Sequence, residues 1–343
     1  MKNLLAMFAF CVVCASAHAQ DELIFAVDVI RHGDRTPIEE IPSDPHHWEE
    51  GLGQLTPDGM RQEYDLGSRL RREYVEHSRL LPERYQSGTL YARSTDIERT
   101  LISAQCLLLG LYPHGTGPAQ GGTPALPDAA QPVPIHTVPT SDDIVRIPSN
   151  PHEALMAQYV TSSPQWRQKT SAVQAKFPQW SQVLGLVIKD LGQLQSLGDA
   201  LLVRRGHHVA LPKALSPEDA QEIIDAGRST LVMEFQPEEM GRITGTPLLS
   251  KIGEYLDGTG RPGTALKYVL FSAHDNTLLS LMSAMGAPLD EAPVPASRLN
   301  FSVFGSGAQQ KYVKVSYNDR AVKVRGCGSD SCTLSQFLAL TKR

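Results

Sequence analysis

Hydrophobic and polar positions along this chain change period in an ordered way. Leu23 to Ile30 is a run of β-branched, aliphatic and aromatic residues interrupted by Asp28, which predicts a buried strand. From Thr56 the period becomes helical. Thr56 and Pro57 supply an N-cap and a first-turn proline, and Met60, Tyr64, Gly67, Leu70 and Tyr74 form a stripe opposite charged positions. Thr89 to Ala92 predicts a second strand. Thr95 and Glu98 then make a capping-box pattern ahead of a helix whose inner face is Leu101, Ala104, Leu108 and Leu111. Pro113 to Pro139 is dense in proline and glycine and is expected to be one long irregular connection. Ala154 to about Leu256 returns to helical spacing, with Trp166, Phe177 and Trp180 as core anchors. Leu266 to Ala273 predicts another strand, and Thr277 caps a helix carrying Leu278, Leu281, Met282 and Met285. Leu299–Phe304 and Tyr312–Tyr317 read as closing strands. No internal repeat or heptad pattern is present.

Strand–helix alternation at both ends around a helical middle predicts an α/β fold. Residues 20–112 and 260–343 would form the core, and 113–259 a mainly helical cap inserted into it. Composition fits such a core: of 343 residues, 41% are hydrophobic and 20% charged. The net charge of −5 excludes the basic excess of a dedicated nucleic-acid binder, so no nucleic-acid partner is expected. No apolar run reaches the roughly 20 residues of a membrane-spanning helix.

The first nineteen residues stand apart. Lys2, the apolar run Leu4–Val13 and the small residues of Ala17-His18-Ala19 make a secretory signal cleaved after Ala19. Export to the periplasm or medium follows. Cleavage takes Lys2 with it, so the mature chain is one unit more acidic. Cys106, Cys327 and Cys332 remain. Cys327 and Cys332, five residues apart with Gly326 and Gly328 beside them, read as a structural disulfide in an oxidising compartment. Cys106 lies in an apolar helical stretch and reads as a buried free thiol.

The densest polar cluster is Arg31-His32-Gly33-Asp34-Arg35-Thr36-Pro37, at the carboxyl end of the first strand. Ligands of open α/β sheets bind at such ends. Arg31 and Arg35 suit a tetrahedral oxyanion, and His32 between them can be a nucleophile or a base. Arg93 ends the second strand, and His274-Asp275 ends the strand before Thr277. Together these strand ends offer an anion clamp, a histidine and a carboxylic acid, as phosphoryl transfer to histidine requires. Asp34 would either tune substrate choice at the mouth or bond its own loop. His46-His47 reads as a solvated loop rather than a metal site, and His207-His208 as a surface basic patch.

These motifs resemble the histidine acid phosphatases. Arg31–Pro37 is similar to their RHGxRxP signature and Ala273-His274-Asp275 to their His-Asp motif. Gly53–Met60, Ala92–Thr100 and the loop Gly326–Phe337 resemble further family segments. The likeness covers about 24–113 and 267–340 and points to the prostatic and lysosomal acid phosphatase branch. It implies a mixed, mostly parallel sheet sandwiched by helices, of the phosphoglycerate mutase-like kind, with a helical cap. It also implies that His32 takes the phosphoryl group and that Asp275 protonates the leaving alcohol. Arg31, Arg35, Arg93 and His274 would hold the phosphate, with no metal or other cofactor. Phosphate monoesters are the implied substrates, and members of this branch are often homodimers. The guanidiniums disfavour protonated His32 and favour ionised Asp275, so an optimum below neutrality is expected. Asn276 departs from the threonine that often follows the pair. The sequon Asn300-Phe301-Ser302 falls in a predicted strand and reads as chance. A phytase or sugar-phosphate phosphatase on the same scaffold is the enzymatic alternative, and a phosphate- or headgroup-binding protein without turnover the non-enzymatic one.

Overall fold

The computed structural model describes residues 22–147, 149–259, 263–305, 310–328 and 330–342. The leader expected over 1–19 lies outside them. Ten strands are present among the described residues: β1 (Glu22–Arg31), β2 (Leu90–Ser94), β3 (Ala119–Gln120), β4 (Thr123–Pro124), β5 (Ile135–His136), β6 (Tyr268–Ala273), β7 (Arg298–Gly305), β8 (Tyr312–Tyr317), β9 (Arg320–Ala321) and β10 (Ser331–Thr333). The main sheet runs β10-β8-β7-β1-β6-β2-β5, with β9 paired to β8, while β3 and β4 form a separate hairpin. The pairs β1–β6, β6–β2 and β2–β5 are parallel, and the β7 side of the sheet is antiparallel.

Eleven α-helices accompany the strands: α1 (Pro57–Arg71), α2 (Glu98–Leu111), α3 (Ser149–Leu155), α4 (Pro164–Val173), α5 (Phe177–Leu184), α6 (Leu191–Gly206), α7 (Pro217–Glu234), α8 (Glu238–Thr244), α9 (Thr246–Asp257), α10 (Asp275–Ala284) and α11 (Leu334–Thr341). One sheet face, with Val27, Val29 and Phe271, packs on Ile252 of α9, Leu281 of α10 and Phe337 of α11. The other, with Ala26, Ile30 and Leu270, packs on Leu66 of α1 and Leu107 of α2. Burial on both faces explains why β1 is apolar from Leu23 to Ile30 but for Asp28. The resulting mixed sheet, parallel across its central strands β1, β6 and β2 and lying between helical layers, is the α/β fold that the sequence implied. No described helix is long and apolar enough to cross a membrane.

The stretch 113–259 divides between cores. Trp166, Phe177 and Trp180 join Leu194 and Leu201 of α6 and Ile223 of α7 in a separate cluster. Leu249 and Ile252 of α9 pack under the sheet instead. The segment 113–139, expected to be wholly irregular, contributes β5, which pairs with β2 through Ala92 and Arg93. Two residues are too few to show a period, and an edge position tolerates the neighbouring Pro134. Cys327 and Cys332 are joined by a disulfide, with Cα atoms 5.1 Å apart. Cys106 is free and half-buried, and burial pushes its thiol pKa up.

Candidate active site

Because β2, β6 and β1 are adjacent and parallel, their carboxyl ends share one sheet edge. Arg31 stands opposite Ala273, and Ser94 opposite Ser272. Beyond β1 the chain turns across the start of α1. A Cβ on Gly33 would strike the Gly59 carbonyl, and one on Gly59 would strike the backbone of Asp34. This contact seats the loop on α1. Thr56 caps α1 as its sequence predicts, its hydroxyl accepting from the Gly59 N–H at 3.1 Å. The same hydroxyl donates to Asp34 Oδ2 at 2.7 Å.

His32 is buried. Its N–H donates to the Ala273 carbonyl at 3.0 Å, and its Nδ1 donates to its neighbour's carbonyl, Gly33 O, at 2.8 Å. A carbonyl can only accept, so Nδ1 carries the proton and Nε2 keeps a lone pair. Burial, then the charges of Arg31, His274, Arg99 and Arg35, hold the His32 pKa well below its ordinary value. The His274 ring lies edge-on to His32 with centroids 5.6 Å apart, and Thr95 Oγ1 fixes its Nε2 at 3.1 Å. Burial and Arg99 push the His274 pKa down to about 3. Both imidazoles are therefore neutral in mildly acid solution.

Asp275 is salt-bridged to Arg31 Nη2 at 3.0 Å and accepts from the Asn276 N–H at 2.8 Å. Burial raises its pKa, but Arg31, Arg35 and His274 outweigh burial, and the carboxyl sits below its ordinary value. Arg31 Nη1 also donates to the Pro293 carbonyl at 2.5 Å. Arg35 is held end-on by Asp199, with Nη1–Oδ2 2.8 Å and Nη2–Oδ1 3.0 Å.

Arg93 lies elsewhere. It pairs in register with Phe271, which itself stands opposite Val29, so it sits two residues short of the level of Arg31. Its Nη2 donates to the buried Asp143 Oδ1 at 2.6 Å. In this segment it is Arg99, one residue into α2, whose charge acts on both imidazoles, as that of Arg31 does. Burial and its cationic neighbours lower the Arg99 pKa to about 10. Thr95 does not cap α2, whose N-cap is Ile97. Its hydroxyl lies 2.7 Å from Thr100 Oγ1, beside His274. Thr277 likewise is the third residue of α10 rather than its cap, and His274 holds the cap position.

Among the described residues the buried Nε atoms of Arg31, Arg35 and Arg99 have no hydrogen-bond partner, and neither do those of Arg93 and Arg204. A cavity of about 210 Å³ opens over Arg31, Arg35 and Asp275, walled by Ile38, Asp199 and Leu231.

Comparison with known proteins gives this geometry its family. The model for "Histidine phosphatase superfamily (branch 2)" matches residues 22–194. The chain belongs to the histidine phosphatase superfamily. Family membership makes it a phosphatase. It is 34% identical to testicular acid phosphatase of Mus musculus, across 93% of this chain and 79% of that one. It is 31% identical to lysosomal acid phosphatase of Homo sapiens, across 93% and 77%. Among solved structures, Klebsiella sp. ASR1 phytase aligns with a TM-score of 0.69 over 94% of this chain and 95% of that one, at 15% identity. Citrobacter braakii phytase aligns at 0.67 over 94% and 97%, at 17% identity. At these identities the phytases show a shared fold alone.

Two site residues of this histidine phosphatase, Arg99 and Asp199, escaped sequence reasoning. Arg99 lay within the quoted segment Ala92–Thr100, yet Arg93 stood nearer the strand end in sequence. Asp199 had no local signal, because its role comes from the fold bringing α6 over the 31–37 loop. The other residues singled out for the site, Arg31, His32, Arg35, His274 and Asp275, are brought together. The Asp34 carboxylate does not bond its own loop: it accepts from Thr56 and also meets His207 Nε2 at 2.7 Å. His46 and His47 are exposed.

Proposed function

We propose that this protein is an exported, metal-independent acid phosphatase that hydrolyses phosphate monoesters through His32. Buried His32 carries the reading: its Nδ1–H is held by the Gly33 carbonyl, which leaves Nε2 its lone pair, and the charges of Arg31, Arg99 and Arg35 act on it. His32 Nε2 attacks phosphorus as the bond to the ester oxygen breaks. Asp275 gives its proton to that oxygen, and the alcohol leaves. Water then attacks the phosphohistidine, Asp275 takes a proton from it, and inorganic phosphate departs with His32 neutral again. Three guanidiniums neutralise the charge of the transferring group, the role that Mg²⁺ fills elsewhere. His274, neutral and fixed by Thr95, adds a polar contact to the phosphoryl oxygens.

The pH range follows from charge. His32, with a lowered pKa, stays an unprotonated nucleophile in acid solution. Asp275, also lowered, holds the proton it must donate only in acid solution. Activity therefore rises as pH falls below neutrality. Glycerol 2-phosphate hydrolysis measured from pH 3 to 8, with and without a chelator, tests the reading. An acidic optimum unchanged by chelator is expected. An optimum above neutrality, or loss of activity with chelator, contradicts it.

A further inference from the structure

The wall of the cavity above the arginines carries carboxylates. Asp199 of α6 takes both Nη atoms of Arg35, while its own side chain remains 29% exposed and lines the cavity. Arg35 Nη1 also donates to the Thr36 carbonyl at 3.2 Å. Of the five guanidinium N–H donors, that leaves Nε–H and one Nη2–H on a single edge. Asp199 thus turns Arg35 so that a two-pronged edge is free for one phosphoryl group. Glu39, exposed, lines the same cavity. Outside the arginines that face the nucleophile, the cation on this wall is Arg228. The cavity, at about 210 Å³, is below the roughly 300–1,000 Å³ typical of drug-sized ligands.

We propose that Asp199 and Glu39 form a charge filter, restricting this site to esters that carry a single phosphate. The inference rests on the phosphatase reading above. A sugar or simple alcohol ester with one phosphate presents a neutral remainder to the wall. A second phosphate near the first places a further negative charge against Asp199 and Glu39. Specificity here comes from a repulsive element as much as from an attractive one. Asp199 is a positioning residue for Arg35 and, toward the second charge, a specificity residue.

The test compares kcat/KM for fructose 6-phosphate and fructose 1,6-bisphosphate, using the full chain. The wild type is expected to favour the monophosphate by about tenfold or more at low salt, with the gap narrowing as salt screens the repulsion. Asp199→Asn and the exposed Glu39→Gln should each bring the ratio toward unity by lowering KM for the bisphosphate rather than by raising kcat. A ratio within twofold of wild type in both variants overturns the filter while leaving the phosphatase intact. If Asp199→Asn does not fold, Glu39→Gln decides by the same criterion. Failure of the wild type to hydrolyse either ester overturns the phosphatase reading and the filter with it.

Discussion

At the residue scale, the site depends on which arginine faces the nucleophile. Arg93 and Arg99 are six residues apart in one segment, but only Arg99 acts on His32 and His274. Arg99→Ala should lower kcat/KM by about 10²–10³-fold, the cost of removing one preorganised donor to a developing oxyanion. Arg93→Ala should leave activity per folded molecule within about tenfold and instead reduce stability by about 3–5 kcal/mol, because Asp143 would keep a buried, unpaired charge. Steady-state kinetics and denaturant melts on both variants separate the roles. Asp275→Asn should slow an alkyl phosphate by about 10²–10⁴-fold and an aryl phosphate far less, since a good leaving group barely needs the proton. Equal losses on both esters would remove Asp275 as the acid.

At the element scale, the helices that back the site pack unusually close. A Cβ on Gly67 of α1 would collide with the Leu107 carbonyl of α2, and one on Gly110 with the Tyr64 carbonyl. Glu63 lies on α1, fully buried, and neither of its oxygens has a hydrogen bond among the described residues. Burial raises its pKa well above the ordinary value. A raised folded-state pKa gives stability that is fully present below the unfolded value and lost as pH rises through the folded one. Glu63→Gln should therefore be more stable than wild type by about 1 kcal/mol or more at neutral pH, and the gap should close toward pH 4. A gap independent of pH, from urea midpoints across that range, would contradict the assignment.

Much of this level was legible. Thr56 and Pro57 marked the start of α1, and the apolar runs marked β1 and β6, because those signals are local. Strand register is not local, and register is what withdraws Arg93 from the edge shared by Arg31 and Ala273. The same holds for β5, whose two residues acquire a role only through β2. The Thr95 hydroxyl suited a cap by type and spacing, yet tertiary contacts to His274 and Thr100 claimed it.

At the scale of the whole molecule, buried polar contacts join distant segments. Asp28 in β1 accepts from Arg298 Nε at 2.7 Å, Asn300 Nδ2 at 2.9 Å, and the Tyr74 and Tyr268 hydroxyls at 3.0 Å each. Four donors satisfy the carboxylate, and Asn300, buried among them, is unavailable as a glycan acceptor. Arg298→Leu should cost about 3–5 kcal/mol in a denaturant melt by orphaning that buried charge. A second set of polar contacts ties α6 and the residue after it to the loop behind the nucleophile: Asp199 to Arg35, Arg204 to Asp44 at 3.4 Å, and His207 to Asp34. The helical cluster is thereby fastened to the loop that carries the chemistry.

The central claim is a covalent bond between phosphorus and His32, and trapping that bond tests it most directly. Asp275→Asn mixed with a labelled aryl phosphate should form the intermediate readily and release it slowly, for want of the base that activates water. Quenching is predicted to leave label on the protein that survives alkali, is lost in acid, and disappears in the His32→Ala, Asp275→Asn double variant. Turnover with no protein-bound phosphate, or equal labelling when His32 is absent, would contradict the account.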